Sequence, residues 1–191
     1  LTHSNIIAAT FQCAQWGNSS IIYSSFEKRA VIGIIPYFHI YGNIVSMNWS
    51  MISMATQILV PCFDLEEFMG ILGSTSEITF FPAVPTMITA IANHPKTEEL
   101  KIGERIRLIN SGGAPMPTEL IQKIRDMGVY FGEGWGMSET CSMGIANPIL
   151  ANKIGSIGVP LMDNDVRLVD VENGVEDVKP GEPGEILLKG P

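Results

Sequence analysis

The sequence predicts an α/β fold: a mostly parallel, doubly wound sheet with helices on both faces, followed by the start of a small β region. Three observations carry this. Short apolar runs alternate with helix-period patterns as far as residue 131, which is the pattern of βαβ units. The run at residues 30–35 is apolar throughout, as a strand covered on both sides must be. Motifs rich in glycine, hydroxyl or imidazole groups follow the strands expected at 30–35, 105–109 and 129–131. In parallel sheets ligands bind at those carboxyl ends, so the three motifs are expected to share one site.

The elements follow in order. Ser4 can cap a helix running to about Trp16, with Ile6, Ile7, Phe11 and Ala14 facing inward. Gly17-Asn18-Ser19-Ser20 breaks it. The strand at 30–35 stops at Pro36, and a loop carrying His39 leads into a helix over about 42–55 and a strand over 57–60. Asp64 opens the next helix, with Glu67 three residues on as a capping-box variant. Residues 77–81 read as strand, 85–93 as a helix with proline at its start, and 105–109 as strand. An amphipathic helix over 117–127 carries Leu120, Ile121, Ile124 and Met127 on one side and ends at Gly128. After Pro160 the texture changes: short alternating strands at 165–169 and 185–189 flank an acidic, turn-rich segment. Residues 1–160 are therefore expected to form a central α/β subdomain, and 161–191 the beginning of a small β subdomain.

Composition sets bounds. A chain of 191 residues with 46% apolar content can build a core. A net charge of −8 argues against a nucleic-acid partner. Cys13, Cys62 and Cys141 are odd in number and widely spaced, which suits a reducing cytoplasm rather than a disulfide framework or a zinc site. No Asp, Glu, Lys or Arg occurs from Ala30 to Phe63, and the stretch from Gly42 to Val60 is long enough to suggest a membrane span. Asn43, Ser46, Asn48, Ser50, Ser53 and Gln57, flanked by Pro36 and Pro61, favour a buried helix leading into a buried strand. The first sixteen residues carry no secretory signal pattern. Met47, Met51 and Met54 lie at helical spacing and are expected in the core, with a pliable ligand pocket as the second reading. His3 and His94 are expected at the surface.

The most informative stretch is Gly132-Glu133-Gly134-Trp135-Gly136-Met137-Ser138-Glu139-Thr140. Alternating glycines let a backbone approach a ligand closely. Trp135 offers a flat face to a ring, Ser138 a donor to a phosphate oxygen, and Glu139 a ligand for a hard cation. A nucleotide with its magnesium needs that set. The stretch resembles the Gly-aromatic-Gly-Met-Thr/Ser-Glu motif of the adenylate-forming acyl- and aryl-CoA ligases, which include fatty-acyl-CoA synthetases and 4-coumarate ligases. Four further segments resemble the family in order. Leu1-Thr2-His3-Ser4-Asn5 is similar to the residues after its phosphate loop, and Phe38-His39-Ile40-Tyr41-Gly42 to its acyl-site histidine motif. Asn110-Ser111-Gly112-Gly113-Ala114-Pro115 is similar to the turn that touches adenine and acyl group, and Gly181-Glu182-Pro183-Gly184-Glu185-Ile186 to the segment near the end of its large domain.

The resemblance implies roles. Glu139 would bind Mg²⁺, although a carboxylate after a glycine turn could equally start a helix. Ser138, in place of the commoner threonine, would contact phosphate. Trp135 stands where tyrosine is usual and would stack on adenine, or else be a core aromatic at a strand end. Glu133 replaces a glutamine and can accept from the adenine amino group but not donate. His39 would orient the acyl carboxylate, against the alternative of a structural histidine. Tyr41 would line the acyl pocket or cap the following helix. Gly112, Gly113, Ala114 and Pro115, with Gly134, Gly136 and Met137, would bring backbone to ATP or AMP, with Gly112 and Gly134 also bordering the acid; the first group could also be an ordinary strand-to-helix turn. Pro82-Ala83-Val84-Pro85-Thr86 is similar to the family's Val-Pro-Pro turn, departing at Thr86.

The family's phosphate loop would precede Leu1. Its ribose-binding Thr-Gly-Asp and its small C-terminal domain with the catalytic lysine would follow Pro191. The 191 residues are thus expected to be a central piece of a larger ligase, inactive alone. The implied reaction joins a fatty or aromatic acid to coenzyme A through acyl-AMP, with the enzyme acting on ATP, acid and CoA and a homo-oligomer allowed. Three other classes compete with this reading. A dinucleotide oxidoreductase fails because Met137 occupies the last glycine position of GxGxxG. A serine hydrolase built on Ser138 lacks the glycine two residues later, which is Thr140. A non-catalytic adenylate-binding module stays open.

Overall fold

The computed structural model describes residues 1–17, 29–75 and 77–191. Its centre is a seven-stranded sheet, order β2-β1-β3-β4-β5-β6-β7. β1 is Ala30–Gly33, β2 Thr56–Leu59, β3 Ile78–Ala83, β4 Ile106–Ser111 and β5 Tyr130–Met137. These five pair in parallel. β6 (Ser142–Ala146) then adds antiparallel to β5, and β7 (Val159–Pro160) adds antiparallel to β6. β8 (Asp165–Val169) and β9 (Glu185–Lys189) form a separate antiparallel pair, as the alternation in that region predicts.

The core explains the layering. All six residues of β3 are buried, and in β4 only Arg107 is partly exposed. Strands buried on both faces need cover on both faces. Helix His3–Gly17 packs with Gly42–Asn48 and Trp49–Ile52; Pro85–Ala92 packs with Leu65–Ser74 and Thr118–Asp126. Trp49 lies against Phe80 with ring centroids 4.9 Å apart, and Phe68 against Phe81 at 5.1 Å. Asp64 caps its helix by accepting the Glu67 N–H at 2.9 Å. Leu120, Ile121 and Ile124 are buried as the amphipathic pattern requires, and Gly128 ends that helix at φ +87°. Arg105 closes the C-terminal end of helix Leu65–Ser74, donating to the Leu72 and Gly73 carbonyls at 3.0 and 3.2 Å.

Several expectations are corrected. The first helix is capped by Thr2, not Ser4: Thr2 Oγ1 accepts the Asn5 N–H at 3.2 Å and Asn5 Oδ1 accepts the Thr2 N–H at 2.6 Å. Its inward face is Ala9, Thr10, Gln12 and Cys13, while Ile7 and Phe11 are more than half exposed. Gly17 is the last helical residue, and Asn18-Ser19-Ser20 lie outside the described residues. β1 ends at Gly33, although Ile34 and Ile35 stay buried.

The stretch after His39 is π-helical over Gly42–Asn48 before an α-turn at Trp49–Ile52. The wider turn breaks the 3.6-residue register, so Ile44, Val45 and Trp49 are buried while Met51 and Met54 face solvent. The methionine stripe is not core. His94 is not a surface histidine: its side chain is only 7% exposed and Nε2 lies 2.9 Å from Glu66 Oε1. Among the described residues no helix is long and apolar enough to cross a membrane.

The largest correction concerns residues 132–140. They are not a loop after a short strand. β5 runs through the glycines to Met137 and turns at residues 138–141 into β6, which the periodicity did not reveal.

Candidate functional site

The sheet order 2-1-3-4-5 reverses direction between β1 and β3, and a ligand crevice opens beyond strand ends at such a point. The segment after β1 supplies His39. Its Nδ1 accepts the Tyr41 N–H at 3.1 Å, so in the neutral ring the proton sits on Nε2, the nitrogen left for a ligand. Gly42 lets this segment fold back tightly, since a Cβ there would lie 2.4 Å from the Pro36 carbonyl oxygen.

Tyr41 borders the cleft but is largely buried, and its hydroxyl lies 2.9 Å from Asn110 Oδ1 and 3.0 Å from Asn110 O. Burial raises its phenol pKa strongly, with a backbone hydrogen bond at Ala83 opposing and Cys13 adding to it. The group stays a donor. Gly112 packs on its ring: an added Cβ would come 3.3 Å from Cζ.

β4 ends at Ser111, and its Asn110 and Ser111 pair in register with Gly132 and Glu133 of β5. One cleft of about 230 Å³ is lined by His39, Tyr41, Gly112, Gly113, Gly134, Trp135, Gly136, Met137 and Ser138. An adjoining cleft of about 460 Å³ is lined by Gly113, Ala114, Pro115, Glu133, Gly134, Trp135 and Gly136. The two share Gly113 and the Gly134-Trp135-Gly136 backbone. Glu139 lies apart, on a third cleft of about 410 Å³ that meets the first at Trp135 and Met137.

Sequence reasoning missed Met143 and Ser142 in the first cleft and Gly155, Ser156 and Ile157 in the second. The buried run of β6 could have signalled the first pair. Nothing local marks the second group, which chain folding brings in.

Electrostatics distinguish the two glutamates. Burial raises the Glu133 carboxyl above its ordinary value, partly offset by the Met116 backbone N–H. Glu139 is exposed and makes no ion pair among the described residues. Its turn is stapled by Thr140, whose Oγ1 accepts the Met137 N–H at 2.8 Å and lies 2.8 Å from the Ser142 carbonyl. Cys141 and Ser142 there hold φ of +55° and +86°, a strained conformation for residues with a Cβ that the hairpin must impose. No group of three or more His, Cys, Asp or Glu among the described residues could hold a metal alone. Mg²⁺ takes one or two carboxylates with substrate phosphates, so a single free carboxylate on a fixed turn fits it.

The model of the family described as AMP-binding enzyme matches residues 1–191. The chain belongs to this family. It is 38% identical over 194 residues to the long-chain-fatty-acid–CoA ligase of Bacillus subtilis, covering all of this chain and 33% of that protein. It is 33% identical over 193 residues to a feruloyl-CoA synthase of Amycolatopsis, covering all of this chain and 37% of that one. O-succinylbenzoate coenzyme A synthetase from Bacillus subtilis, solved in complex with AMP, superposes with a TM-score of 0.77 at 27% identity, over 99% of this chain and 37% of that one. The chain thus spans about a third of the length of the curated relatives it matches.

Proposed function

We propose that this AMP-binding segment forms part of an ATP-dependent acid:CoA ligase acting on a fatty or aromatic carboxylic acid. The observation that carries the reading is the pair of adjoining clefts, which gathers His39, Gly112, Gly113, Trp135 and Ser138 from three separate elements. A carboxylate oxygen of the acid attacks the α-phosphorus of ATP, the bond to the β-phosphate breaks and pyrophosphate leaves. The CoA thiol then attacks the acyl carbonyl of the adenylate, the acyl–oxygen bond breaks and AMP leaves.

The protein's share is placement and charge compensation. His39 Nε2 donates to the acid carboxylate, held by the Tyr41 N–H at Nδ1. Trp135 and the Gly112–Pro115 turn hold adenine, with Glu133 accepting from its amino group. Ser138 donates to phosphate. Glu139 is the residue that would hold Mg²⁺, which when bound neutralises phosphate charge. Residues 1–160 act as the central α/β subdomain and 161–191 as the start of a small β subdomain. A cytoplasmic setting suits buried, unpaired Cys13 and Cys141.

The test is ATP–pyrophosphate exchange by the full-length protein with a panel of fatty and aryl-propenoic acids. Acid-dependent exchange supports a ligase. AMP binding without exchange for any acid would leave a non-catalytic adenylate-binding module.

A further inference from the structure

Asn110 is 1% exposed, and its side chain bridges the two halves of the site. Its Oδ1 accepts from the Tyr41 hydroxyl at 2.9 Å, and its Nδ2 donates to the Gly132 carbonyl at 3.2 Å. The amide orientation is fixed by chemistry, because a carbonyl oxygen only accepts and the nitrogen must face Gly132. Tyr41 in turn donates its N–H to His39 Nδ1. A chain of contacts therefore runs from the His39 ring through the Tyr41 backbone and side chain and Asn110 to the start of the Gly132–Gly136 strand. His39 is exposed, but Tyr41 and Asn110 are buried and have no solvent to replace a lost partner.

We propose that Asn110 is a positioning residue that fixes the acid-facing segment at His39 and the nucleotide-facing strand β5 in one frame. This rests on the ligase reading above. The side chain must accept and donate at once at a fixed reach. Aspartate accepts only, leucine does neither, and glutamine is one methylene too long. The consequence is specific: each ligand alone contacts one side of the frame, whereas an acyl-adenylate contacts both. Loosening the frame costs the two-sided ligand more than the one-sided one.

The experiment measures, in the full-length protein, the affinities of AMP and of a non-hydrolysable acyl-adenylate (an acyl sulfamate of adenosine), with thermal stability alongside. In Asn110→Leu the advantage of the acyl-adenylate over AMP is expected to fall at least about fivefold while AMP affinity changes less than about threefold, the scale of coupling between residues in one network. Tyr41→Phe removes a single oxygen from the same path and should cause a similar loss, with the double variant no worse than either single one. Tyr41→Phe carries the test if Asn110→Leu does not fold. An undiminished advantage in either folded variant, or a parallel loss of both affinities, overturns the inference. A wild-type protein that binds the acyl-adenylate no better than AMP refutes the ligase reading instead, and this inference with it.

Discussion

Gly136 sits against Ser142 so closely that a Cβ on Gly136 would lie 1.6 Å from the Ser142 carbonyl oxygen. The contact is across the β5–β6 hairpin, at a register shift between Trp135 and Gly136. The neighbouring glycines behave likewise. A Cβ on Gly132 would meet the Trp16 ring at 3.0 Å, and one on Gly134 the Met143 sulfur at 2.3 Å. The alternation that reads as backbone access for a ligand is, on the Cβ side, room for the protein itself.

The obstacle differs at each glycine, and so does the expected cost. Gly136→Ala meets immovable backbone and should be the most destabilising, on the order of 3 kcal/mol or more, above the usual range for overpacking. Gly134→Ala meets Sδ and Cγ in the middle of the buried Met143 side chain, which must shift, and falls between. Gly132→Ala, whose Cβ would lie 3.0 Å from the Trp16 ring, should cost least of the three. Gly70→Ala, on an exposed helix with nothing within 4 Å, should stabilise by up to about 1 kcal/mol. Chemical denaturation of the four variants gives the order directly.

Glu133 supplies a pH prediction. Its folded carboxyl pKa is raised, chiefly by burial, so the folded state holds the proton more tightly than the unfolded chain. Its contribution is therefore present below the unfolded value and is lost as pH rises through the folded one. Glu133→Gln should flatten that part of the stability profile and be neutral or stabilising above it. A profile unchanged by the substitution would show the carboxylate to be better solvated than its surroundings imply.

How much of this was legible in the sequence depends on what each residue answers to. The strands β1, β3 and β4 and the helix at Leu120, Ile121 and Ile124 were readable because burial acts on successive residues or turns of a regular element; β2 lies at the sheet edge with none of its residues buried and is not the buried strand expected there. The π-helix was not readable, because it changes the period itself, and Met51 and Met54 follow the wrong face in consequence. β5 was read too short because three glycines carry no strand propensity; the strand exists there because β4 and β6 flank it. His39, Trp135 and Ser138, which line the first cleft, belong to motifs legible in the sequence. Asn110 lies within one as well, yet its bridge depends on Tyr41 and Gly132, distant in sequence.

The cysteines should separate by reactivity. Cys62 is exposed, whereas burial, with a smaller contribution from Cys141, pushes the Cys13 thiol up to about 12. Only thiolate reacts. Iodoacetamide on the native protein should modify Cys62 first and leave Cys13 untouched until the chain is unfolded, as mass spectrometry of the peptides would report. Early labelling of Cys13 would mean that helix His3–Gly17 opens locally.

Glu139→Gln in the full-length protein should reduce adenylation far more than acid binding. The turn is held by Thr140, so the geometry survives while the charge for the cation is lost. Removing a group that stabilises developing charge costs on the order of 10² to 10³ in rate. Raising Mg²⁺ should recover part of the loss. Near-normal exchange at ordinary Mg²⁺ would remove Glu139 from the metal site.

Trp135 borders all three clefts and is half-buried, which fits both a base-stacking face and a packing role opposite Ile145. The two roles predict different mutants. If the indole stacks on adenine, Trp135→Ala should weaken AMP binding by about 1–3 kcal/mol, the range for base–aromatic stacking in single-stranded nucleic-acid binding. Trp135→Tyr should be mild, since a π-face remains. If the ring serves packing, Trp135→Ala should lower the melting temperature of the ligand-free protein, with affinity falling only as folding fails. Apo stability and AMP affinity measured on both variants of the full-length protein separate the cases. Unchanged AMP affinity in a well-folded Trp135→Ala protein would exclude stacking, and adenine recognition would then fall to the Gly112–Pro115 turn and to Gly155, Ser156 and Ile157 across the cleft.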